Sequence, residues 1–195
     1  ELGGVVKVTP LVEGQAMASV RGEARGAVVR GIEPRDLMQH NILAENIKKG
    51  SLTMFRGGRD ALVGARFASL YGLEPGDQFS LVAPGGRSTV FGTVPRTKRF
   101  RVRAIFEIGM YEYDSSFIYI PLRTSRELFN YKPGEISSLE VMLNEPERIS
   151  VLQKEIQSLT KTPLRILDWQ VANASFFNAL KVERNVMFII LSLII

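Results

Sequence analysis

The chain has 195 residues, 45% of them hydrophobic and 23% charged, with 25 Lys and Arg against 20 Asp and Glu. That composition excludes a disordered polymer and allows one domain, or two small ones, around a real core. With no cysteine and one histidine, His40, it also excludes a disulfide frame, a thiolate metal site and a multi-His site.

Residues 5–32 read as strands. "VVKVTPLV", "QAMASVRG" and "GAVVRGI" alternate, with Gly22 and Gly26 at a hairpin turn. "GIEPRD" breaks the pattern, and Leu37, Met38, Ile42, Leu43 and Ile47 then suit a short helix that "KKGS" ends. Asp60 is placed to cap a helix from Ala61 to about Tyr71, with Leu62, Val63, Phe67 and Leu70 on one face and Gly72 as its stop. "LEPGDQ" makes a turn and "FSLVA" a strand.

The next stretch, "LVAPGGRSTVFGTVPRTKRF", is a puzzle. It implies a loop of about fifteen residues where hairpin loops usually have about two to five. Between Pro84 and Arg103 lie Arg87, Arg96, Lys98, Arg99, Arg101 and Arg103 with no acid, so the remaining 19 cations face 20 anions. The basicity of the chain belongs to this hairpin. Beyond it, "FRVRAIFEI" alternates, with Phe100, Val102, Ala104 and Phe106 on one face and cations on the other.

"SSFIYIPL" reads as a buried strand, and "TSREL" as a capping box, Thr124 to Glu127, opening a short helix. "SSLEVMLN" is another strand. Ile149, Leu152, Ile156 and Leu159 recur at helical spacing, with Asn144 as cap and Pro146 in the first turn. "PLRIL" suggests a last strand, and Asp168 a cap for a final helix over 169–195 that packs Trp169, Phe176 and Leu180 on the domain. "VMFIILSLII" carries no charge and runs on from an amphipathic stretch, so it is expected to be the first half of a transmembrane helix, which needs about twenty apolar residues. The class is α+β, strand-rich in the middle.

Chemical motifs are few. "GGRSTVFG" lacks the Lys-Ser/Thr and the following helix that a phosphate-binding P-loop requires. Glu107, Glu112 and Asp114 surround a turn, where acids are usually just solvated; acid–base work would need two of them converging in a pocket. With His40 alone, a Ser-His-Asp set is not expected. For the basic hairpin three readings stand: a solvated edge that discourages strand pairing, a nucleic-acid surface, and a protein-docking loop. Nucleic acid would call for aromatics interleaved with the cations, and only Phe91 and Phe100 qualify, Phe100 being spaced as core. The Val90–Phe91 tip, braced by Pro95 and rimmed by cations, suits an apolar anchor with a polar rim.

"GVVKVTPLVEGQ", "VVRGIEPRD", "LVGARFASLYGLEPGDQFSLVAP" and "DWQVANASFFNALKVERNVMFIILSLI" together resemble, over nearly the whole chain, the periplasmic region of the membrane subunits of the lipoprotein-releasing (Lol) ABC transporter, of LolC/LolE type. Trp169, Phe177, Glu183 and Asn185 stand where that family enters its second transmembrane helix; the Gly-Asp turn is shared with macrolide-efflux and cell-division permeases. The resemblance implies an α+β, two-subdomain (Porter/Sabre) periplasmic domain of the MacB-like ABC permease type. Residues 1–30 would be the first part of a Porter-like subdomain and 31–135 a Sabre-like subdomain with the basic hairpin loop 84–99. Residues 136–182 would complete the Porter-like part, and 183–195 would start the transmembrane helix.

It further implies a hook-like hairpin that binds the chaperone LolA beside a polar Pad, as in LolC or in the hybrid subunit that replaces both LolC and LolE. The partner-binding residues would be Ser88, Thr89, Val90, Phe91, Gly92, Thr93, Val94, Pro95, Arg96, Thr97, Lys98 and Arg99, with Thr97 and Lys98 where Pad residues lie. Val90 departs from a usual second proline, and Ser80 replaces a Pad arginine, for which Arg96 and Arg99 are the candidates to compensate. The implied partners are the LolA-type chaperone, lipoprotein cargo, an ATPase subunit, a second permease subunit and the inner membrane, with this domain in the periplasm. No cofactor or catalytic residue is expected, ATP hydrolysis residing in a separate cytoplasmic subunit. A MacB-like efflux permease domain and a nucleic-acid or anionic-surface binder are the competing readings.

Overall fold

The computed structural model describes residues 4–89, 92–145, 149–159, 165–167, 182–183, 186–188 and 190–192. Contacts divide the chain into two units, one of Lys7–Val141 and one of Glu1–Val6 with Met142–Ile195.

The larger unit opens with a β-hairpin. β1, Val5–Val20, is a single strand where the sequence suggested two runs, and it pairs antiparallel with β2, Glu23–Ile32. Arg21 and Gly22 alone make the turn, with φ of 49° and 92°, as a tight two-residue hairpin requires. Gly26 is therefore not a turn residue: it lies inside β2 opposite Met17.

In place of the short helix expected from Leu37 to Ile47, residues 34–54 form a chain of short pieces. These are α1 (Pro34–Met38), α2 (Asn41–Ala44), β3 (Ile47–Gly50) and a 3-10 turn at Leu52–Met54. His40 lies between α1 and α2, its Nε2 3.5 Å from Glu140 Oε2.

The clearest correction concerns residues 60–64. They form β4, Asp60–Gly64, and only Ala65–Tyr71 is helical (α3), ending at Gly72 in the left-handed region as expected. A short apolar run cannot be assigned by periodicity alone. Here β4 lies between β6 (Gly92–Phe106) and β7 (Phe117–Pro121), and every one of its residues is buried. Leu62 packs into one apolar cluster with Phe55, Phe106 and Tyr119, while Ala61 and Val63 pack into another with Phe67, Phe100 and Ile118. A strand covered on both faces reads as a continuous apolar run. Asp60 caps no helix; its carboxylate accepts from Arg56 N at 3.1 Å and pairs with Arg103 Nε at 2.6 Å. At Gly64, where strand turns into helix, a Cβ would lie 2.3 Å from Asp114 O, so no side chain fits.

β5, Gln78–Thr89, and β6 complete the sheet, whose order is β2-β7-β4-β6-β5-β1-β8, with β3 beside β6. Because β1 also pairs with β2, six of these strands close a ring of pairings. Residues 7–30, assigned by sequence to the first subdomain, lie in the larger unit: β1 pairs with β5, and β2 runs parallel to β7.

α4 spans Tyr111–Ser116 and α5 Leu122–Phe129. The capping box fails, since α5 begins two residues before Thr124, directly after Pro121. The Thr124 hydroxyl donates to Gly58 O instead. β8, Ser138–Leu143, forms as expected, and α6 spans Ile149–Leu159 with Leu152 buried. Pro146, Asp168, Trp169, Phe176 and Leu180 lie outside the described residues. Arg165–Leu167 show no strand. The described residues from 182 onward are helical, with Val186, Met187, Phe188 and Ile190 exposed. Among the described residues, no helix is long and apolar enough to cross a membrane.

Candidate partner-binding hairpin

The long loop expected at 84–99 is mostly paired strand. β5 and β6 pair antiparallel from Gln78–Arg101 up to Ala83–Arg96, the register then slips, and pairing resumes from Arg87–Val94 to Thr89–Gly92. The slip sets Pro84, Gly85 and Gly86 against Pro95 alone. Proline has no N–H to give to a ladder, so opposed prolines force a bulge. Pairing resumes beyond them and leaves two residues between Thr89 and Gly92. Backbone hydrogen bonds carry most of the ordering that a fifteen-residue loop would have to bear alone. The tip, Val90 and Phe91, lies outside the described residues.

Residues directly opposite in an antiparallel pair share a face. Phe79 and Phe100 therefore point into the core, as do Leu81 and Ala83 on β5. Their partners Lys98 and Arg96 continue the same row past the edge of the apolar cluster. Both reach α5. Arg96 Nη2 donates to Asn130 Oδ1 at 2.7 Å, and Lys98 Nζ donates to Glu127 Oε2. Asn130 caps the C-terminus of α5 in the left-handed conformation, φ 66°, which fixes its amide beside Arg96. Glu127 also lies 3.6 Å from Arg123. The hydrogen bond from Lys98 holds the Glu127 carboxyl below the usual carboxylate range, against the effect of burial, and the charges of Lys98, Arg123 and Arg59 pull the same way.

The opposite face is open. Thr97 and Arg99 are exposed there, opposite Val82 and Ser80, which in turn pair with Met17 and Ser19 of β1. Arg101 is exposed and Arg103 turns back to Asp60. Five of the six cations of this stretch thus have different uses: Arg96, Lys98 and Arg103 are engaged within the unit, while Arg99 and Arg101 face solvent; the side chain of Arg87 lies outside what the structure describes. Pro95 and Val94 are also exposed, Val94 by 57%. The backbone of Ser88, Thr89, Gly92 and Thr93 lies in the distal ladder.

Sequence reasoning placed Glu127 in a capping box and missed both it and Asn130 as partners of the hairpin cations. They stand about thirty residues beyond their partners, and the available signal was only their i, i+3 spacing on a helix with a polar face. The three acids near residue 110 do not converge. Asp114 is buried and accepts from Ile108 N and Gly109 N, whereas Glu107 pairs with Lys48 at 2.7 Å. No cluster of three or more metal-binding side chains occurs among the described residues.

Comparison with known proteins adds the decisive observation. The lipoprotein-releasing system transmembrane protein LolC of Neisseria meningitidis serogroup B is 30% identical over 194 residues, which cover 98% of this chain and 46% of that protein. By descent the chain is homologous to the LolC membrane proteins. LolC of Xylella fastidiosa is 28% identical over 193 residues, again 98% of this chain and 46% of the relative. The chain spans about half the length of the LolC proteins it matches. No family model matches it. Among solved structures, the extracellular domain of the noncanonic ABC-type transporter YknZ superposes with a TM-score of 0.52 at 18% identity, covering 80% of this chain and 75% of that one. The α+β fold is similar to that of this YknZ domain.

Proposed function

We propose that this chain is the periplasmic domain of an inner-membrane ABC permease that releases lipoproteins and hands them to a LolA-type chaperone through the β5–β6 hairpin. The observation that carries the proposal is the hairpin itself. It is a paired ribbon built past two opposed prolines, with exposed Val94, Pro95, Thr97 and Arg99 on its return arm, in a chain homologous to LolC. Lipoprotein cargo, an ATPase subunit that hydrolyses ATP in the cytoplasm, a second permease subunit and the membrane are partners in the same proposal, and the domain itself does no catalysis. So are a Porter-like part at 1–30 and 136–182, a Sabre-like part at 31–135 and a membrane helix from 183, although pairing draws 7–30 into the larger unit.

The test is binding of the chain to purified LolA-type chaperone. Truncating an apolar anchor at an interface centre costs on the order of 2 kcal/mol or more, so Phe91→Ala should weaken binding by about thirtyfold. Arg99→Glu should mainly slow association and flatten its salt dependence. Unchanged affinity in both variants, with normal thermal melts, would sink the docking reading. Binding to a tunnel protein of an efflux assembly would favour the MacB-like alternative, and steeply salt-dependent oligonucleotide binding would favour the nucleic-acid one.

A further inference from the structure

At the base of the hairpin a groove of about 250 Å³ is lined by Gly58, Arg59, Lys98, Arg123, Thr124 and Glu127. Three cations and one carboxylate share it, leaving an excess charge of two. The carboxylate is held from two sides, by Lys98 at Oε2 and by Arg123 at Oε1. Lys98 carries three donor hydrogens and the guanidinium of Arg123 five, more than one carboxylate can use. The Arg123 side chain is 91% exposed, so it can turn toward an incoming group without giving up a buried contact. The Thr124 hydroxyl is occupied by Gly58 O, which leaves the groove selective for charge.

We propose that this groove receives one acidic side chain of the protein that docks on the hairpin, and that Glu127 occupies the cations until that side chain arrives. The proposal rests on the docking reading above and adds to it the chemistry of the partner's contact. A carboxylate suits the groove better than a polyanion does. Glu127 would repel a continuous run of phosphates, while one carboxylate can share Lys98 and Arg123 with it. Closing the groove under a partner lowers the local dielectric and strengthens such a bridge.

The sign of one substitution is the sharpest test. Glu127→Gln keeps the shape and removes the competing charge, so the intact chain should bind the chaperone about three- to tenfold more tightly, with a steeper salt dependence. The double variant Arg59→Gln/Arg123→Gln should bind about tenfold more weakly, with a flatter one. A fluorescein-labelled peptide with a single glutamate among uncharged residues, followed by polarisation, should bind the wild type and Glu127→Gln but not the double variant. Thermal melts confirm that each variant folds. Weaker binding in Glu127→Gln, or an unchanged double variant, would overturn the inference; if Phe91→Ala still weakens binding, the docking reading survives that failure. If the chaperone binds no form of the chain, the docking reading fails, and the peptide alone decides the groove. Polarisation lost in the double variant would support it, and no polarisation with wild type would overturn it. An oligothymidine that binds more tightly than the peptide would overturn it in favour of nucleic acid.

Discussion

The two faces of β6 carry the same kind of residue to opposite ends. On the inner face, Phe100 and Val102 are core, and the next positions in the same row, Lys98 and Arg96, are held by Glu127 and Asn130 of α5. On the outer face, Thr97, Arg99 and Arg101 remain exposed. A strand's period of two decides which cations brace the unit and which are free to meet a partner. Counting charges along the stretch hides that division, because Glu127 and Asn130 are distant in sequence and adjacent in space.

The division can be broken most forcefully at its inner end. Phe100 is 1% exposed and its ring lies 6.1 Å from that of Phe79. Phe100→Ala should cost about 3–5 kcal/mol of stability by leaving a cavity, whereas Thr97→Ala, on the outer face, should change it by less than about 0.5 kcal/mol. Urea denaturation of both variants checks this. Comparable losses would mean that the outer face is also packed.

The cations give a subtler version of the same contrast. Lys98→Glu would set two carboxylates together where a half-exposed ion pair now stands, and a loss of about 1 kcal/mol is expected. Arg99→Glu should leave the denaturation curve unchanged and alter only the association rate with a partner. Lys98→Glu is therefore a poor probe of docking alone, since it also disturbs the hold of the hairpin on α5. A stability loss in Arg99→Glu equal to that in Lys98→Glu would erase the distinction between the faces.

Much of this was legible in advance, and the rest failed for identifiable reasons. The stop at Gly72 and the strand at 117–121 follow from local pattern, and the structure has both. The expected alternation holds for Phe100 and Val102, but a bulge at Arg103 in the pairing with β4 sends Ala104 and Phe106 into the other apolar cluster. The helix assigned to 61–64 failed because an apolar run buried on both faces has no period to read. The capping box at Thr124 failed because the hydroxyl found Gly58, a contact 66 residues away. The loop at 84–99 was read from its prolines and glycines, which mark a bulge in a ladder as readily as a loop. Its chemistry was half legible: the cations were visible, but not the helix that neutralises some of them.

The smallest effect concerns acid. Among the carboxyls of the larger unit held below their usual range by a hydrogen bond are Glu127, held by Lys98, and Glu140, held by His40. A carboxyl whose folded value is depressed adds stability above its unfolded value of about 4.5, and that contribution is lost as pH falls through the lower folded value. Both should therefore steepen the loss of stability below about pH 4.5. Their exposure differs, 51% for Glu127 and 35% for Glu140, so solvent and salt should screen the first more than the second. In urea melts taken from pH 5 to pH 3, Glu140→Gln should flatten the acid slope more than Glu127→Gln does. High salt should shrink the Glu127 effect first. An acid slope that neither variant alters would show that these bonds hold the hairpin base and β8 in place without contributing to stability through charge.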